Sequence, residues 1–356
     1  MPNLNKKKIA IIGSHGLYAK YGGWDQLVNN LAENKSDNVE YIIFNSSSTE
    51  FVKLPPEGVI VKNLPFKADG FQGFFYDFQS ILLSYFKVDV LLLLGAQGMP
   101  IVPFLNIFKK IKIIINIGGV EWERPKYNKF IKRYFRYCFK LSSKKSRTVI
   151  LDNEYYKRFI PDNSNGTFTV IPYGGEIEQT LSVNESLVEK YPFINKQYFL
   201  SISRSLEDNK IDELCECFTK LKSNLVLISN LSKSEYGKSI LKKYNNYKNI
   251  ILIDGLYNKQ ELDLVRRKCQ AYIHTHTLCG TAPSLVEMIV SGRPILSIDI
   301  PQNRFTLEGE GYFYKNFKEL HSFLNINDDF DKFIPNKELS SSYSWQNIVN
   351  DYESLY

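Results

Sequence analysis

The chain is poor in the residues that organise small or metal-built proteins. Its five cysteines (Cys138, Cys215, Cys217, Cys269 and Cys279) are odd in number and scattered among 356 residues, and no cysteine pair stands with histidines at zinc spacing. A disulfide framework and a structural zinc are thereby set aside, and a reduced, cytoplasmic protein without a metal is expected. No apolar run approaches the roughly 18–20 residues needed to span a bilayer. The longest candidate, Val88–Met99, is interrupted by Asp89 and Gln97 and reads as a buried strand. The first residues run directly into a strand pattern without a small-residue cleavage site, so no signal peptide is expected. No repeat or low-complexity tract stands out.

What is present is an ordinary globular composition. Apolar residues make up 44%, too many for a disordered chain. The formal charge of +7 is mild for this length and matters only where it is concentrated. At roughly 100–200 residues per domain, the length suggests two or three domains.

Short aliphatic runs alternate with helical patterns. Strands are expected at 8–13, 41–45, 59–63, 88–94, 112–117, 148–152 and 167–172, and again at 198–203, 224–229, 249–254, 271–275 and 294–299. Continuous Val/Ile/Leu runs mark strands buried on both faces of a parallel sheet. Strand–helix alternation then predicts an α/β protein of two Rossmann-like, doubly wound domains. The alternation pauses over the polar stretch 174–196, where a hinge is placed. The expected division is 1–178, 179–338 and a closing segment 339–356. In that segment Trp345, Ile348, Val349 and Tyr352 form one stripe of an amphipathic helix, expected over 341–356. Binding loops should follow the strands' carboxyl ends and face a shared cleft.

Two segments carry chemistry. The first strand ends in Gly13-Ser14-His15-Gly16, followed by Gly22-Gly23 at the mouth of a helix. Open helix-start amides and absent side chains suit a phosphate, although a tight turn would use the same glycines. The second segment runs from His276 to Met288. Pro283 suits a first helical turn, leaving the amides of Ser284 and Leu285 open and the Thr281 hydroxyl beside them. Glu287 lies one turn in, where a carboxylate can accept both hydroxyls of a ribose while the amides hold an attached diphosphate. His274 is expected to pack in the strand, and the same packing is one reading of His276.

Taken together, these segments resemble the family 4 retaining glycosyltransferases of the GT-B fold, in particular the bacterial subgroup of capsule and cell-wall rhamnosyltransferases. The resemblance rests on Gly13–Asp25 (GSHGLYAKYGGWD), Asn116–Arg124 (NIGGVEWER), Asp152-Asn153-Glu154, Tyr173-Gly174-Gly175, Gly280–Glu287 (GTAPSLVE) and Pro301–Arg304, in order along the chain. It implies a retaining hexosyl or deoxyhexosyl transferase. The second domain would bind the donor through Gly280, Thr281, Ser284, Leu285 and Glu287, with Arg204 offsetting charge on the leaving diphosphate. Asn209 takes the place of a lysine common in the wider family. The first domain would bind the acceptor, with Gly22 and Gly23 closing on the donor phosphates, and the last helix would cross back to it. No cofactor or metal is implied. The co-substrate is a nucleotide-sugar, with a dTDP-sugar (rhamnose) first and a UDP-hexose next.

Two departures stand out. Gly118 occupies the place of the subgroup's aspartate, leaving Glu121 and Asp25 as nearby acidic candidates for catalysis alongside Arg204. Cys279 occupies the place of a small residue. A catalytically impaired homologue serving as partner subunit of an active transferase is the alternative reading, and an epimerase or phosphorylase of the same fold is a third.

From Lys126 to Arg147 there are nine basic residues and no acidic one, with an apolar stripe at Tyr127, Phe130, Ile131, Tyr134, Phe135, Cys138 and Leu141. The stripe can pack on the sheet with its cations solvated. Alternatively the segment meets an anionic membrane, helped by the apolar residues of 104–111. The resemblance favours the second, because such enzymes act on lipid-linked glycans. A peripheral position on the inner face of a bacterial membrane follows. No motif supports nucleic-acid binding.

Overall fold

The computed structural model describes residues 6–19, 22–50, 52–123, 127–176 and 185–356. Lys20 and Tyr21 of the first motif, Arg124, Lys126 and the 178/179 boundary lie outside them. By contacts the chain divides into one unit of 1–173 with 345–356 and a second of 174–344.

The first unit is built on a seven-stranded, all-parallel sheet. Its strands are β1 (Lys7–Ile12), β2 (Val39–Asn45), β3 (Val59–Asn63), β4 (Val90–Leu94), β5 (Lys112–Asn116), β6 (Thr148–Leu151) and β7 (Thr167–Val170), in the order β3-β2-β1-β4-β5-β6-β7. Period-two alternation divides its core into two layers. Ala10, Ile12, Leu91 and Leu93 belong to one cluster, and Ile9, Ile11, Val90 and Leu92 to the other. The second cluster is completed by the helix Trp345–Ser354, whose Trp345, Ile348, Val349 and Tyr352 are buried against the sheet. The last helix thus belongs to the first unit.

The expected single helix over 341–356 is instead two, Lys337–Ser342 in the second unit and Trp345–Ser354 in the first. Tyr343 causes the break. Its buried hydroxyl donates to the Thr306 carbonyl at 2.8 Å, and its own carbonyl accepts from Gly175 at 2.7 Å.

The second unit carries a six-stranded parallel sheet. Its strands are β8 (Tyr198–Ile202), β9 (Asn224–Ser229), β10 (Ile250–Asp254), β11 (Ala271–His274), β12 (Ile295–Ile298) and β13 (Tyr312–Tyr314), in the order β10-β9-β8-β11-β12-β13. β13 is the strand the sequence pattern does not announce, since Tyr-Phe-Tyr is too short to read as an aliphatic run. The region read as a hinge contains a helix, Glu185–Lys190.

One buried acid in the first unit has a consequence for stability. Asp77, on the helix Gln72–Ser84, is 4% exposed, and burial pushes its carboxyl up to about 7 against a hydrogen bond with Gln97 that favours the ion. The native state therefore holds a proton that the unfolded chain has already released above its ordinary value near 3.8. Stability falls as pH rises from there through about 7 and is flat above. Asp77→Asn is expected to raise the unfolding temperature by about 4 °C or more at pH 8 and by less at pH 5, read by calorimetry at the two pH values.

Candidate functional site

Both sheets reverse their strand order at one point, between β1 and β4 and between β8 and β11. In open α/β sheets the loops at the carboxyl ends flanking that reversal form the binding crevice. The motif segments of the sequence are those loops.

In the second unit the loop after β8 is tied to the loop after β11. Thr277 donates to the Asp208 carbonyl through its amide at 3.2 Å and its hydroxyl at 2.7 Å, and the Thr275 hydroxyl bonds the Asn209 carbonyl. The Asn209 side-chain amide donates to the Arg204 carbonyl at 2.8 Å. Asn209 is buried and acts on the backbone that carries Arg204, whose guanidinium is exposed. That cation lies close enough to His276 to help burial push its imidazole down to about 4. His274 is buried completely, its Nδ1 3.3 Å from the Tyr272 hydroxyl, and burial pushes its pKa far down as well. The two rings lie 4.4 Å apart, both neutral at physiological pH. The Nε2 atoms of both histidines, Ser203 Oγ and Asn303 Oδ1 are buried with no hydrogen-bond partner among the described residues. Buried polar atoms are normally satisfied, and a group of unsatisfied ones at the carboxyl ends of these inner strands marks a place for a polar ligand.

The helix Pro283–Val290 follows, capped by no side chain at Ala282. One expectation is corrected here. The Leu285 amide is not open, because the first turn is tight and it donates to the Ala282 carbonyl at 3.0 Å. Ser284, half-buried, is left as the helix-start residue facing the loop, with Gly280 and Thr281 buried just before it. Behind the helix, a Cβ on Gly175 would stand 2.9 Å from Val290 Cγ2, so the hinge glycine lets the chain pass under it.

Glu287 is largely enclosed and does not stand alone. Arg266 Nη2 donates to its Oε2, and Arg266 Nη1 donates to Asp263 Oδ1 at 3.2 Å. Burial raises the Glu287 pKa while the Arg266 charge opposes the rise. The sequence reading missed Arg266 and Asp263. Their signal was a charged pair three residues apart on either side of Leu264-Val265, on the buried side of the helix Lys259–Lys268.

In the first unit, Gly13 and Gly16 are turn glycines. Both have positive φ (105° and 120°), and a Cβ would fall 2.0 Å from the Leu94 carbonyl oxygen or 2.1 Å from Asn45 Oδ1. Asp25, 1% exposed, holds the loop shut: its carboxylate accepts from the His15 amide at 2.8 Å and the Gly22 amide at 3.2 Å. The same carboxylate holds the His15 imidazole above its ordinary pKa. Gly22 is different. It is exposed and extended, and a Cβ there would meet nothing within 4 Å. Gly23 opens the helix Gly23–Glu33 beside it. Gly13→Ala is expected to destabilise by more than about 1 kcal/mol, whereas Gly22→Ala stays within about 0.5 kcal/mol of wild type. Parallel denaturant titrations check the pair.

Gly118 sits after β5 with φ +57°, its amide bonded to Asn116 Oδ1 at 2.7 Å. A Cβ would stand 3.0 Å from the indole of Trp24, which also covers Gly95. The ring thus occupies the space over both strand ends. Glu121, half-buried, opens the short 3₁₀ turn Glu121–Glu123 that follows.

The basic helix Lys129–Lys145 does not bury its whole stripe. Cys138, Phe139, Ser142 and Ser143 are buried, but Phe130 is 85% exposed, and Ile131 and Tyr137 are exposed too. Phe74 of a neighbouring helix contacts Tyr134, and Phe104, Ile107 and Phe108 are further exposed apolar residues of this unit. Among the described residues, Arg136 is the cation of this helix seen with an acidic partner, Glu123 at 3.4 Å. No described helix is long and apolar enough to cross a membrane.

A family profile described as a domain of unknown function (DUF1972) matches residues 62–176, and no curated protein matches the sequence. Solved structures match nearly the whole chain. A sucrose-phosphate synthase from Thermosynechococcus elongatus superposes with a TM-score of 0.79 at 14% identity, covering 99% of this chain and 98% of that one. Anabaena HepE in complex with UDP-glucose gives 0.72 at 12% identity, covering 98% and 99%. A trehalose-6-phosphate structure from E. coli bound with UDP-2-fluoro glucose gives 0.70 at 10% identity, covering 98% of each. These likenesses show the fold: the chain has the GT-B architecture of two Rossmann-like domains.

Proposed function

We propose that the protein is a glycosyltransferase that moves a sugar from a nucleotide-diphosphate donor to a lipid-linked or surface-glycan acceptor in bacterial polysaccharide synthesis. The observation that carries this reading is the second unit's strand reversal. There an exposed cation (Arg204), a helix start (Ser284) and an anchored carboxylate (Glu287) flank unsatisfied buried polar atoms. A nucleotide-sugar needs those three partners: a cation for the leaving diphosphate, amides for its oxygens and an acceptor for the ribose hydroxyls. That HepE was solved with UDP-glucose supports the donor class. The motif resemblance puts dTDP-rhamnose first and a UDP-hexose next.

In this reading Arg204 stabilises the departing diphosphate, and Asn209 holds the backbone beneath it. The acceptor binds the first unit. Gly22 and Gly23 keep bare backbone at its first helix start, where the Gly22 amide already donates to Asp25 at 3.2 Å, and Glu121 is the acidic group that acts on the acceptor hydroxyl. Asp25 shapes the loop. The attacking oxygen and the departing phosphate share one face of the sugar, so configuration is retained without a protein nucleophile. No cofactor or metal takes part. Thermal unfolding against a panel of sugar nucleotides tests the donor site: stabilisation by one of them supports it, and none across dTDP-, UDP-, GDP- and ADP-sugars removes it.

The acceptor's lipid anchor fits the basic helix. Its cations and exposed Phe130 and Ile131 would seat the first unit on the anionic inner face of the membrane. At about 1 kcal/mol per cation near such a surface, replacing Lys132, Arg133 and Lys140 by alanine is expected to weaken vesicle binding by about 100-fold. Co-sedimentation with phosphatidylglycerol vesicles at low and high salt checks this.

Gly118 favours a second reading. Trp24 lies where a side chain at 118 would extend, so position 118 itself supplies no acidic group. A partner subunit that binds donor without transferring it has the same features, and product formation separates the two.

A further inference from the structure

Glu287 can hold a ribose only if its carboxylate is aimed, and a glutamate has three rotatable bonds with which to miss. The structure supplies an aiming device. Arg266 is 6% exposed on the helix Lys259–Lys268, between the buried Val265 and the strand that follows. A guanidinium so placed is costly unless it is paired. It is paired on two sides, through Nη1 to Asp263 one turn back on its own helix and through Nη2 to Glu287 on the helix Pro283–Val290. The planar fork of an arginine fixes direction as well as distance. Asp263, 2% exposed, holds one edge of the fork, and the other edge fixes Glu287 Oε2. Oε1 is left to a ligand, on a side chain that keeps 18% exposure although its partner keeps 7%.

We propose that Arg266 is a positioning residue, anchored by Asp263, that turns the Glu287 carboxylate toward the ribose hydroxyls of the donor nucleotide. Arg266 does not touch the donor. It acts through Glu287, and its effect is confined to the hydroxyls that Glu287 receives. The inference rests on the donor-site reading given above.

That confinement makes it testable. The probe is whichever of UDP and dTDP binds the wild-type protein more tightly, titrated calorimetrically beside the same nucleotide lacking its ribose hydroxyls (2′,3′-dideoxyuridine or 3′-deoxythymidine diphosphate). The wild type is expected to prefer the hydroxylated nucleotide by about tenfold or more, as hydrogen bonds to a charged acceptor allow. Glu287→Gln should erase most of that preference. Arg266→Gln should reduce it about fivefold while leaving the affinity for the deoxygenated nucleotide nearly unchanged, and Arg266→Lys should restore part of it. Should Arg266→Gln not fold, Asp263→Asn reads the same quantity with the Arg266–Glu287 contact left in place, and a smaller loss of preference is expected. The proposal is overturned if these variants weaken both nucleotides by one factor, the mark of a purely structural role, or leave the preference intact while Glu287→Gln erases it. If neither nucleotide binds the wild type, or Glu287→Gln keeps the full preference, the donor-site reading itself falls.

Discussion

Glu287→Ala is expected to remove half or more of the thermal stabilisation that the donor gives the wild-type protein. A ligand at about 100 times its dissociation constant adds roughly 2.7 kcal/mol to the folded state. A carboxylate contributes about 1.5–3 kcal/mol for each sugar hydroxyl it accepts, one on a dTDP donor and two on a UDP donor, so its loss raises the dissociation constant by about tenfold for the first and about 100-fold or more for the second. At the same donor concentration the stabilisation then falls to about 1.4 kcal/mol for a tenfold loss and about 0.4 kcal/mol for a 100-fold loss. The unliganded variant will also be less stable, because Arg266 loses one of its two carboxylates, and breaking a buried pair costs about 3–5 kcal/mol at most. Asp263 keeps the arginine partly paired, which places the cost toward the lower end. The quantity to compare is therefore the donor-induced shift, measured on wild type, Glu287→Ala and Glu287→Gln, since the glutamine keeps the shape without the charge. A shift in the alanine variant equal to that of wild type contradicts the assignment.

Tyr352→Ala is expected to destabilise the first unit by about 3–5 kcal/mol. The ring is 1% exposed on the helix Trp345–Ser354, within the cluster formed by β1, β4 and β5. Its hydroxyl accepts from Asn116 Nδ2 at 2.6 Å, while Asn116 Oδ1 holds the Gly118 amide at 2.7 Å. The closing helix therefore fixes the loop after β5 as well as covering the sheet. Tyr352→Phe separates the two contributions, since it removes only the hydrogen bond, worth about 1 kcal/mol. Denaturant midpoints for the two variants give the ranking directly. Equal midpoints would mean that the ring's burial carries little of the stability.

The strands were legible because parallel strands buried on both faces announce themselves as aliphatic runs, as Val90–Leu94 does with every residue buried. β13 was not, because three aromatic and polar-tipped residues carry no such run. The loops around Arg204 and Gly280–Glu287 were legible for a related reason: in this topology they follow their strands directly, so linear position nearly gives spatial position. Contacts between distant segments were not legible. Nothing in the order of residues tells that Arg266 would reach Glu287, or that Trp24 would lie over Gly95 and Gly118. Local backbone geometry was equally hidden, since whether the Leu285 amide stays open depends on how tightly the first turn winds. Phe130 matches the helical stripe yet stays exposed in the first turn of its helix, while Cys138 and Phe139 farther along are buried.

The central claim is sugar transfer, and product formation tests it most directly. The purified protein is incubated with the donor that stabilises it and with a membrane lipid extract containing diphosphate-linked glycans. Mass spectrometry of the lipid fraction then looks for the added sugar, and nuclear magnetic resonance reads the anomeric configuration of the new bond. The account predicts one sugar added per acceptor with the donor's configuration retained, and loss of product in Arg204→Ala. A donor that binds tightly while no sugar reaches the acceptor and no nucleoside diphosphate is released would contradict it and leave the protein as a donor-binding partner of another transferase.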